Sequence, residues 1–180
     1  MKKILVITSS LRGKSNSDIL ANKVVEGIKE TGNAVEIVSL KGKEIKYCIG
    51  CLSCQNTHKC VLKDDAAEII EKMRLVDSVV FVTPIYFYEM SGQLKTLLDR
   101  TNPLYASDYN FRNIYLVVTA ADTASYTPER AINGLNGWIE CYENTTLVDT
   151  LFVGGLNDPG DANNNQDNLR KAYEFGKKIK

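Results

Sequence analysis

The sequence has no surplus of charge of either sign, because 22 lysines and arginines stand against 22 aspartates and glutamates in its 180 residues. A chain without a basic surplus lacks the attraction that nucleic acids and anionic membranes exert, so we expect neither as a partner. Histidine occurs once, as His58, and the chain contains no Ser-His-Asp arrangement or paired-carboxylate motif. We therefore do not expect chemistry that depends on a side-chain general acid or base.

Long hydrophobic runs are missing as well. The first apolar run, at residues 4–7, ends after four residues. That is too short for the core of a signal peptide and for a bilayer span, so we expect a cytoplasmic protein. A length of 180 residues with 44% apolar and 24% charged residues is typical of one globular domain, which we place at 1–180.

Cysteine, by contrast, is concentrated in one place. Four of the five cysteines lie within thirteen residues and are separated by two, two and five intervening residues: Cys48, Cys51, Cys54 and Cys60. In a reducing compartment, clustered thiols favour metal or redox chemistry over structural disulfides. The Cys-rich loop at about 46–62 is therefore a candidate site for an iron–sulfur cluster or for zinc, although Cys-x2-Cys-x2-Cys is tight for one tetrahedral ion. Free thiols or a disulfide are the remaining alternative.

His58 and the fifth cysteine, Cys141, are not expected to bind a metal ion. His58 lies in a polar turn, where we expect it to be exposed to solvent rather than to bind a metal ion. Cys141 follows Trp138 on a predicted helix, and we expect a small core or interface residue there.

Short apolar runs alternate with segments of helical spacing along the chain. Strands are predicted at 3–8, 34–40, 78–83, 113–119 and 147–153, the third ended by Pro84, and the polar run 154–166 is predicted to be a loop. Five strands that alternate with helices predict an α/β protein, in which helices cover both faces of a parallel sheet. Ligands bind at the carboxyl ends of such strands, near the point where the strand order reverses. We therefore expect function in the loops after the first, third and fourth strands.

The first of these loops, residues 9–17, leaves a buried strand and opens a helix. It holds four serines and an asparagine together with Arg12 and Lys14, and it matches neither a P-loop nor a Gly-rich dinucleotide fingerprint. Short donors at a helix N-terminus suit a phosphate monoester. An ordinary helix start that is capped by Ser15 or Ser17 explains the same residues.

The second loop, residues 83–91, is rich in apolar and aromatic side chains, and the third, residues 119–126, is rich in small ones. An aromatic wall at the end of a buried strand could hold a flat ring system. The same wall could instead fold into the core or form a subunit interface. Small residues in the third loop permit close approach of a ligand to the backbone.

Together these loops resemble the NADPH-dependent FMN reductase branch of the flavodoxin-like superfamily, over nearly the whole chain. The most specific parts are Ser10-Leu11-Arg12, Ser15-Asn16-Ser17, and the stretch from Thr83-Pro84-Ile85-Tyr86 through Gln93-Leu94-Lys95 to Asp99-Arg100. The family usually has glycine at the position of Ser9 and often proline at that of Leu11. The resemblance implies a flavodoxin-like three-layer sandwich with sheet order 2-1-3-4-5. It also implies a homodimer or homotetramer whose flavin site is completed by the partner chain.

The resemblance further implies which residues bind FMN. The phosphate would lie in a loop formed by Ser10, Leu11, Arg12, Ser15, Asn16 and Ser17. The isoalloxazine would be bordered by Pro84, Ile85, Tyr86 and Phe87, and its pyrimidine side by Ala120, Ala121 and Asp122. The cysteine loop resembles that of the iron–sulfur flavoproteins, in which four cysteines at this spacing carry a [4Fe–4S] cluster.

These resemblances imply a flavin oxidoreductase. It would take hydride from NAD(P)H onto FMN and pass electrons to a quinone, a free flavin, another small acceptor or a redox partner. The alternative is an electron-transfer module that exchanges single electrons with a ferredoxin-like protein through a [4Fe–4S] cluster. A response-regulator receiver is disfavoured, because the third strand ends in Thr83-Pro84 and not in an acidic residue.

Overall fold

Five parallel strands form the main sheet of the computed structural model, which describes residues 1–105 and 107–180. They are β1 (Lys3–Thr8), β2 (Ala34–Ser39), β3 (Ser78–Tyr86), β5 (Asn113–Thr119) and β6 (Thr146–Val153). A two-residue strand, β4 (Glu89–Met90), pairs antiparallel with the end of β3. The main strands follow the order β2-β1-β3-β5-β6, which confirms the predicted flavodoxin-like fold and strand order.

Helices cover both faces of this sheet. They are α1 (Asn16–Glu30), α2 (Cys54–Thr57), α3 (Ala66–Leu75), α4 (Gly92–Arg100), α5 (Asn102–Tyr105), α6 (Glu129–Ile139) and α7 (Gln166–Lys178), with a 3-10 helix at Asp161–Asn164. Helices α1 and α7 approach each other closely through Gly27 and Gly176. A Cβ atom at Gly27 would lie 2.1 Å from the carbonyl oxygen of Tyr173, so this contact requires glycine. Within the described residues, no helix is both long enough and apolar enough to cross a membrane.

Successive residues of the inner strands enter two different cores, because side chains alternate across a sheet. In β1, Leu5 and Ile7 pack with residues of α3, α4 and α6. Ile4 and Val6 pack on the opposite face with residues of α1 and α7. Burial on both faces explains why the inner strands are continuous apolar runs in the sequence.

Three sequence-based predictions are wrong in detail. Pro84 does not end β3, which continues to Tyr86 because proline removes one donor but leaves the backbone extended. The predicted loop 154–166 contains the 3-10 helix, and its last residue begins α7. Cys141 was predicted on a helix as a core or interface residue; it lies beyond the end of α6 and is exposed, with Sγ 3.5 Å from the carbonyl oxygen of Gly137, so the core alternative is wrong and the interface alternative stays a prediction.

Candidate flavin pocket and cysteine site

A cavity of about 240 Å³ lies at the carboxyl ends of the central strands, where the strand order reverses. It gathers residues from all three predicted loops: Ser10, Arg12, Ser15, Asn16, Ser17, Pro84, Ile85, Tyr86, Ala120 and Ala121. Leu11, Phe87 and Asp122 were also predicted for this site, but they do not line it. Thr119, Leu156 and Asn157 line it without having been predicted. Leu156 and Asn157 come from the loop after β6. This strand lies at the edge of the sheet, and its loop was not among the three in which function was expected.

The polar end of the cavity is the N-terminus of α1. Ser15 caps the helix by accepting a hydrogen bond from the N–H of Asp18 at 3.3 Å, as the sequence predicted. The N–H groups of Asn16 and Ser17 have no hydrogen-bond partner within residues 1–105 and 107–180. Ser10, Ser15 and Ser17 are all buried. Free N–H groups, buried hydroxyls and a helix dipole together fit a phosphate group.

The side-chain amide of Asn16 forms three hydrogen bonds within the protein. Its Nδ2 donates to the carbonyl oxygen of Asp158 at 2.8 Å. Its Oδ1 accepts from the N–H groups of Gly160 at 3.1 Å and Ala162 at 3.0 Å. The amide thus fastens the loop after β6 to the start of α1, and the backbone N–H of Asn16 stays free for a ligand.

Arg12 lines the rim of the cavity and is exposed. One guanidinium nitrogen, Nη1, donates to the carbonyl oxygen of Asn157 at 3.2 Å. This contact holds the side chain across the gap between the first loop and the loop after β6. A guanidinium has five N–H donors, so Arg12 can keep this bond and still donate to an anion in the cavity.

Beneath the first loop lies a buried chain of hydroxyl groups. Ser91, which caps α4, donates from Oγ to the Oγ of Ser9 at 2.8 Å. Ser9 donates in turn to the carbonyl oxygen of Val82 at 3.2 Å. The N–H of Ser91 donates to the Oγ1 of Thr83 at 3.0 Å. The serine at position 9, where the resembling family usually has glycine, therefore ties the phosphate loop to β3 and to α4.

The aromatic wall contains a strained turn. Phe87 and Tyr88 join β3 to β4 with φ angles of 51° and 66°, in the left-handed region that asparagine and glycine favour in such turns. Phe87 is 98% exposed, which explains its absence from the cavity. Tyr88 stacks on Tyr126 with ring centroids 6.1 Å apart. Strain of this kind persists where surrounding structure maintains it, and it is common at functional sites.

Asp122 stays out of the cavity because its carboxylate orders its own loop. It accepts from the N–H of Ala124 at 3.1 Å and from the hydroxyl of Thr127 at 2.8 Å. These two bonds hold the pKa of Asp122 below its ordinary value, and the bond from the N–H of Ala124 has the larger effect. The same loop packs tightly against Gly154, where a Cβ atom would lie 2.5 Å from the carbonyl oxygen of Asp122.

A carboxylate with one unpaired oxygen lies behind the first loop, within the residues that the structure describes. Within the described residues, the Oδ1 of Asp18 and the Oγ1 of Thr8 are buried without a hydrogen-bond partner. Burial raises the pKa of Asp18, and the nearby Thr8 hydroxyl and Lys41 ammonium only partly offset it. A negative charge here, in the first turn of α1, opposes the binding of an anion at the same helix end.

The four loop cysteines line a second, smaller pocket together with apolar residues: Ile49, Leu52, Val61, Leu62 and Pro103. All four thiols are free, and Cys54 is buried at the start of α2. Burial is the main cause that raises the pKa of the Cys54 thiol, and Cys60, Cys51 and Cys48 contribute in the same direction. His58 is exposed, as predicted.

The arrangement of these sulfurs distinguishes the kinds of metal site. Within the part of the chain that the structure describes, no three His, Cys, Asp or Glu side chains converge as a single metal ion would need. A [4Fe–4S] cluster instead takes one thiolate for each iron, so four separate sulfurs around one apolar pocket fit it chemically. The pocket has a volume of about 20 Å³, roughly the room for one water molecule. The donor set therefore suits a cluster, whereas the pocket in this structure is smaller than one.

Two side chains from beyond the loop donate to its sulfurs. Arg100, at the end of α4, donates from Nη2 to the Sγ of Cys60 at 3.3 Å. Asn102 donates from Nδ2 to the Sγ of Cys48 at 3.8 Å. Arg100 also forms an ion pair with Asp64 at 2.6 Å, with both side chains fully buried. Sequence reasoning noted Asp99-Arg100 only as part of the family resemblance and gave Arg100 no role at this site.

Known proteins match this chain over most of its length. The family model for NADPH-dependent FMN reductases matches residues 2–139. An iron–sulfur flavoprotein of Methanocaldococcus jannaschii is 32% identical, over 98% of this chain and 95% of the relative. An iron–sulfur flavoprotein of Methanosarcina thermophila is 27% identical, over 86% of this chain and 81% of the relative.

Solved structures share the fold. An NAD(P)H:quinone oxidoreductase from Methanothermobacter marburgensis superposes with a TM-score of 0.75 at 18% identity, covering 98% of this chain and 94% of that one. An azoreductase from Bacillus anthracis gives 0.74 at 17% identity, covering 99% of this chain and 100% of that one. At these identities the likeness concerns the fold alone. Because the family model spans most of the chain and the methanogen relative aligns over nearly its whole length, the chain belongs to the NADPH-dependent FMN reductase family, whose members are flavin oxidoreductases.

Proposed function

We propose that this chain binds FMN in the 240 Å³ cavity and a [4Fe–4S] cluster at its four loop cysteines. It takes reducing equivalents from NAD(P)H and passes electrons to a small acceptor, such as a quinone or flavin, or to a ferredoxin-like redox partner. One observation carries this proposal: Cys48, Cys51, Cys54 and Cys60 line one apolar pocket in a flavin reductase fold. The iron–sulfur flavoproteins that align with most of the chain support the same assignment.

At the flavin pocket, the chain's contribution is to bind and orient. The N–H groups of Asn16 and Ser17 and the guanidinium of Arg12 are placed to hold a phosphate. Pro84, Ile85 and Tyr86 form a wall against which a flat ring can lie. When bound, FMN supplies hydride acceptance and single-electron transfer, so no catalytic side chain is needed.

At the cysteine pocket, the chain supplies thiolate ligands and an apolar border. Ile49, Leu52 and Val61 border the sulfurs, and a low-polarity surrounding changes the reduction potential of a bound cluster. When bound, a cluster supplies transfer of one electron at a time. Ile49 and Leu52 are also 65% and 56% exposed, which leaves an apolar rim where a redox partner could dock.

A second candidate function is that of a plain NAD(P)H-dependent FMN reductase with free thiols. The small volume of the cysteine pocket, about 20 Å³, favours this alternative. Both candidates bind FMN, and they differ in iron content and in the electron acceptor. A plain reductase oxidises NAD(P)H with small acceptors alone, whereas the iron–sulfur protein also exchanges electrons with reduced ferredoxin.

The test is the absorption spectrum of protein purified under argon, with iron, acid-labile sulfide and flavin assayed on the same sample. About four iron and four sulfide per chain, together with FMN, support the proposal. Flavin without iron, even after anaerobic reconstitution, selects the plain reductase. Cys54→Ser should abolish iron uptake, whereas Cys141→Ser, at an exposed thiol outside the loop, should leave it unchanged. No flavin after addition of FMN overturns both candidates.

A further inference from the structure

Arg100 is an unusual residue to find next to a thiol pocket. It is the largest of the fully buried side chains and lies at the end of α4, below the cysteine loop. A buried guanidinium is costly unless its charge is paired and its donors are satisfied. The groups that contact Arg100 therefore indicate what its burial contributes to the structure.

Asp64 neutralises this charge with good geometry. Its two carboxylate oxygens accept from Nη1 at 2.6 Å and from Nη2 at 3.0 Å, which is a bidentate pair. Asp64 also accepts from the backbone N–H groups of Lys46 and Ala66. The carboxylate thereby connects both ends of the cysteine loop to α4 through Arg100.

Arg100 also holds the loop directly. Its Nη1 donates to the carbonyl oxygen of Lys46 at 2.7 Å, and its Nη2 to that of Leu62 at 3.4 Å. These two residues flank the four cysteines on either side. The remaining contact is with the Sγ of Cys60, at 3.3 Å from Nη2. The Nε of Arg100 is buried and has no hydrogen-bond partner within the described residues, so one donor of the guanidinium stays unsatisfied.

We propose that Arg100 is a positioning residue for the redox centre: its guanidinium, oriented by Asp64, seats Cys60 and raises the reduction potential of the cluster that this thiolate ligates. The inference rests on the proposed [4Fe–4S] site. One-electron reduction adds one negative charge to the cluster and its thiolates without forming or breaking a bond. A donor N–H on a ligand sulfur stabilises that added charge, and such hydrogen bonds are among the features that set cluster potentials.

Two variants separate the hydrogen bond from the charge. Arg100→Lys keeps a positive charge beside Asp64 but loses the planar fork that reaches Cys60. Arg100→Gln combined with Asp64→Asn removes both charges together, so no buried charge is left unpaired. Arg74→Gln is the matched control, because it also breaks an arginine–carboxylate pair, with Glu71, but on the exposed surface of α3. Circular dichroism and FMN titration report whether each variant is folded.

The measurement is the midpoint potential of the cluster in reconstituted protein, with dithionite as electron donor and the EPR signal as readout. We expect Arg100→Lys and the double variant each to lower the midpoint potential of the cluster by at least about 28 mV. For a one-electron couple, this shift changes the ratio of reduced to oxidised cluster threefold at a fixed applied potential. Arg74→Gln should match the wild type. A folded variant with normal FMN binding but less bound iron also supports the positioning role.

The contrary outcomes are distinct. If wild-type protein loads four irons and its cluster has the same potential as in both Arg100 variants and in the control, this inference is overturned. The proposed function is then left standing. Wild-type protein that takes up no iron under anaerobic reconstitution overturns the cluster, and this inference with it.

Discussion

The hydroxyl of Ser91 donates to the hydroxyl of Ser9 across 2.8 Å, with both residues fully buried. This bond joins the N-terminus of α4 to the loop that opens the flavin pocket. At the other end of the same nine-residue helix, Arg100 contacts Cys60. A helix of nine residues is about 13 Å long, so one short rigid element connects the two candidate redox sites.

Ser91→Ala should lower the free energy of unfolding by about 1–2 kcal/mol, because it removes the cap of α4 and a partner of buried Ser9. FMN should also bind more weakly, since the phosphate loop loses an anchor. Urea unfolding and FMN titration measure the two effects. Ser125→Ala, at an exposed serine in the third loop, is the control and should change neither.

Arg12→Ala should weaken FMN binding by about tenfold, or about 1.4 kcal/mol, because it removes a charged donor at the rim of the cavity. Quenching of flavin fluorescence on binding gives the dissociation constant. Arg170→Ala removes another exposed arginine, in a surface ion pair on α7, and should leave the affinity unchanged. An unaltered constant in Arg12→Ala removes this residue from the site.

Asp18→Asn should stabilise the protein by about 1 kcal/mol at pH 7, because Asp18 carries a partly buried carboxylate oxygen without a partner. The folded state raises the pKa of Asp18 above its ordinary value of 3.8. The protonated carboxyl group therefore supports the stability of the fold at low pH, and this contribution is lost as pH rises through the folded pKa. The gain from the substitution should therefore shrink as pH falls towards 4. FMN should bind more tightly, since one negative charge near the phosphate is gone. Equal stabilities of variant and wild type at pH 7 would contradict this account.

Asp64→Asn should destabilise the protein by about 3–5 kcal/mol at pH 7, because it leaves Arg100 buried without its counter-charge. Burial by itself would raise the pKa of Asp64, but the Arg100 guanidinium and the N–H groups of Lys46 and Ala66 outweigh burial and hold it below 3.8. Stability from this carboxylate is thus complete above about pH 4 and is lost as pH falls through the lowered pKa. Unfolding curves from pH 7 to pH 3 should show the difference between wild type and variant narrowing with acid; a constant difference contradicts the ion-pair explanation.

Phe87→Asp should shift the oligomeric state towards monomer, because a 98% exposed phenylalanine in a strained turn fits a homodimer or homotetramer contact. Sedimentation velocity at several protein concentrations measures this. Tyr47→Asp, at a 79% exposed aromatic residue ahead of the cysteine loop, is the comparison and should not alter assembly. A wild-type chain that sediments as a monomer overturns the prediction.

The fold and the place of the candidate flavin pocket follow from patterns that are visible in the sequence. Buried parallel strands such as β1 and β3 must be apolar on both faces, so their runs are visible in the sequence, and parallel strands fix where the ligand-binding loops converge. The cap by Ser15 was predictable for a similar reason, because helix starts are governed by nearby residues.

The roles that long-range contacts give to individual side chains become visible only in the folded chain. Asn16 was predicted to hold phosphate; its side-chain amide bonds residues more than 140 positions away in the chain, which leaves its backbone N–H for that role. Asn157 joins the pocket because Arg12 and Asn16 draw in the loop after an edge strand. Arg100 meets Cys60 and Asp64 at separations of 40 and 36 residues. Local patterns in a sequence do not encode such pairings, because hydrogen bonds and ion pairs between distant segments form only after the sheet and its helices have brought those segments together.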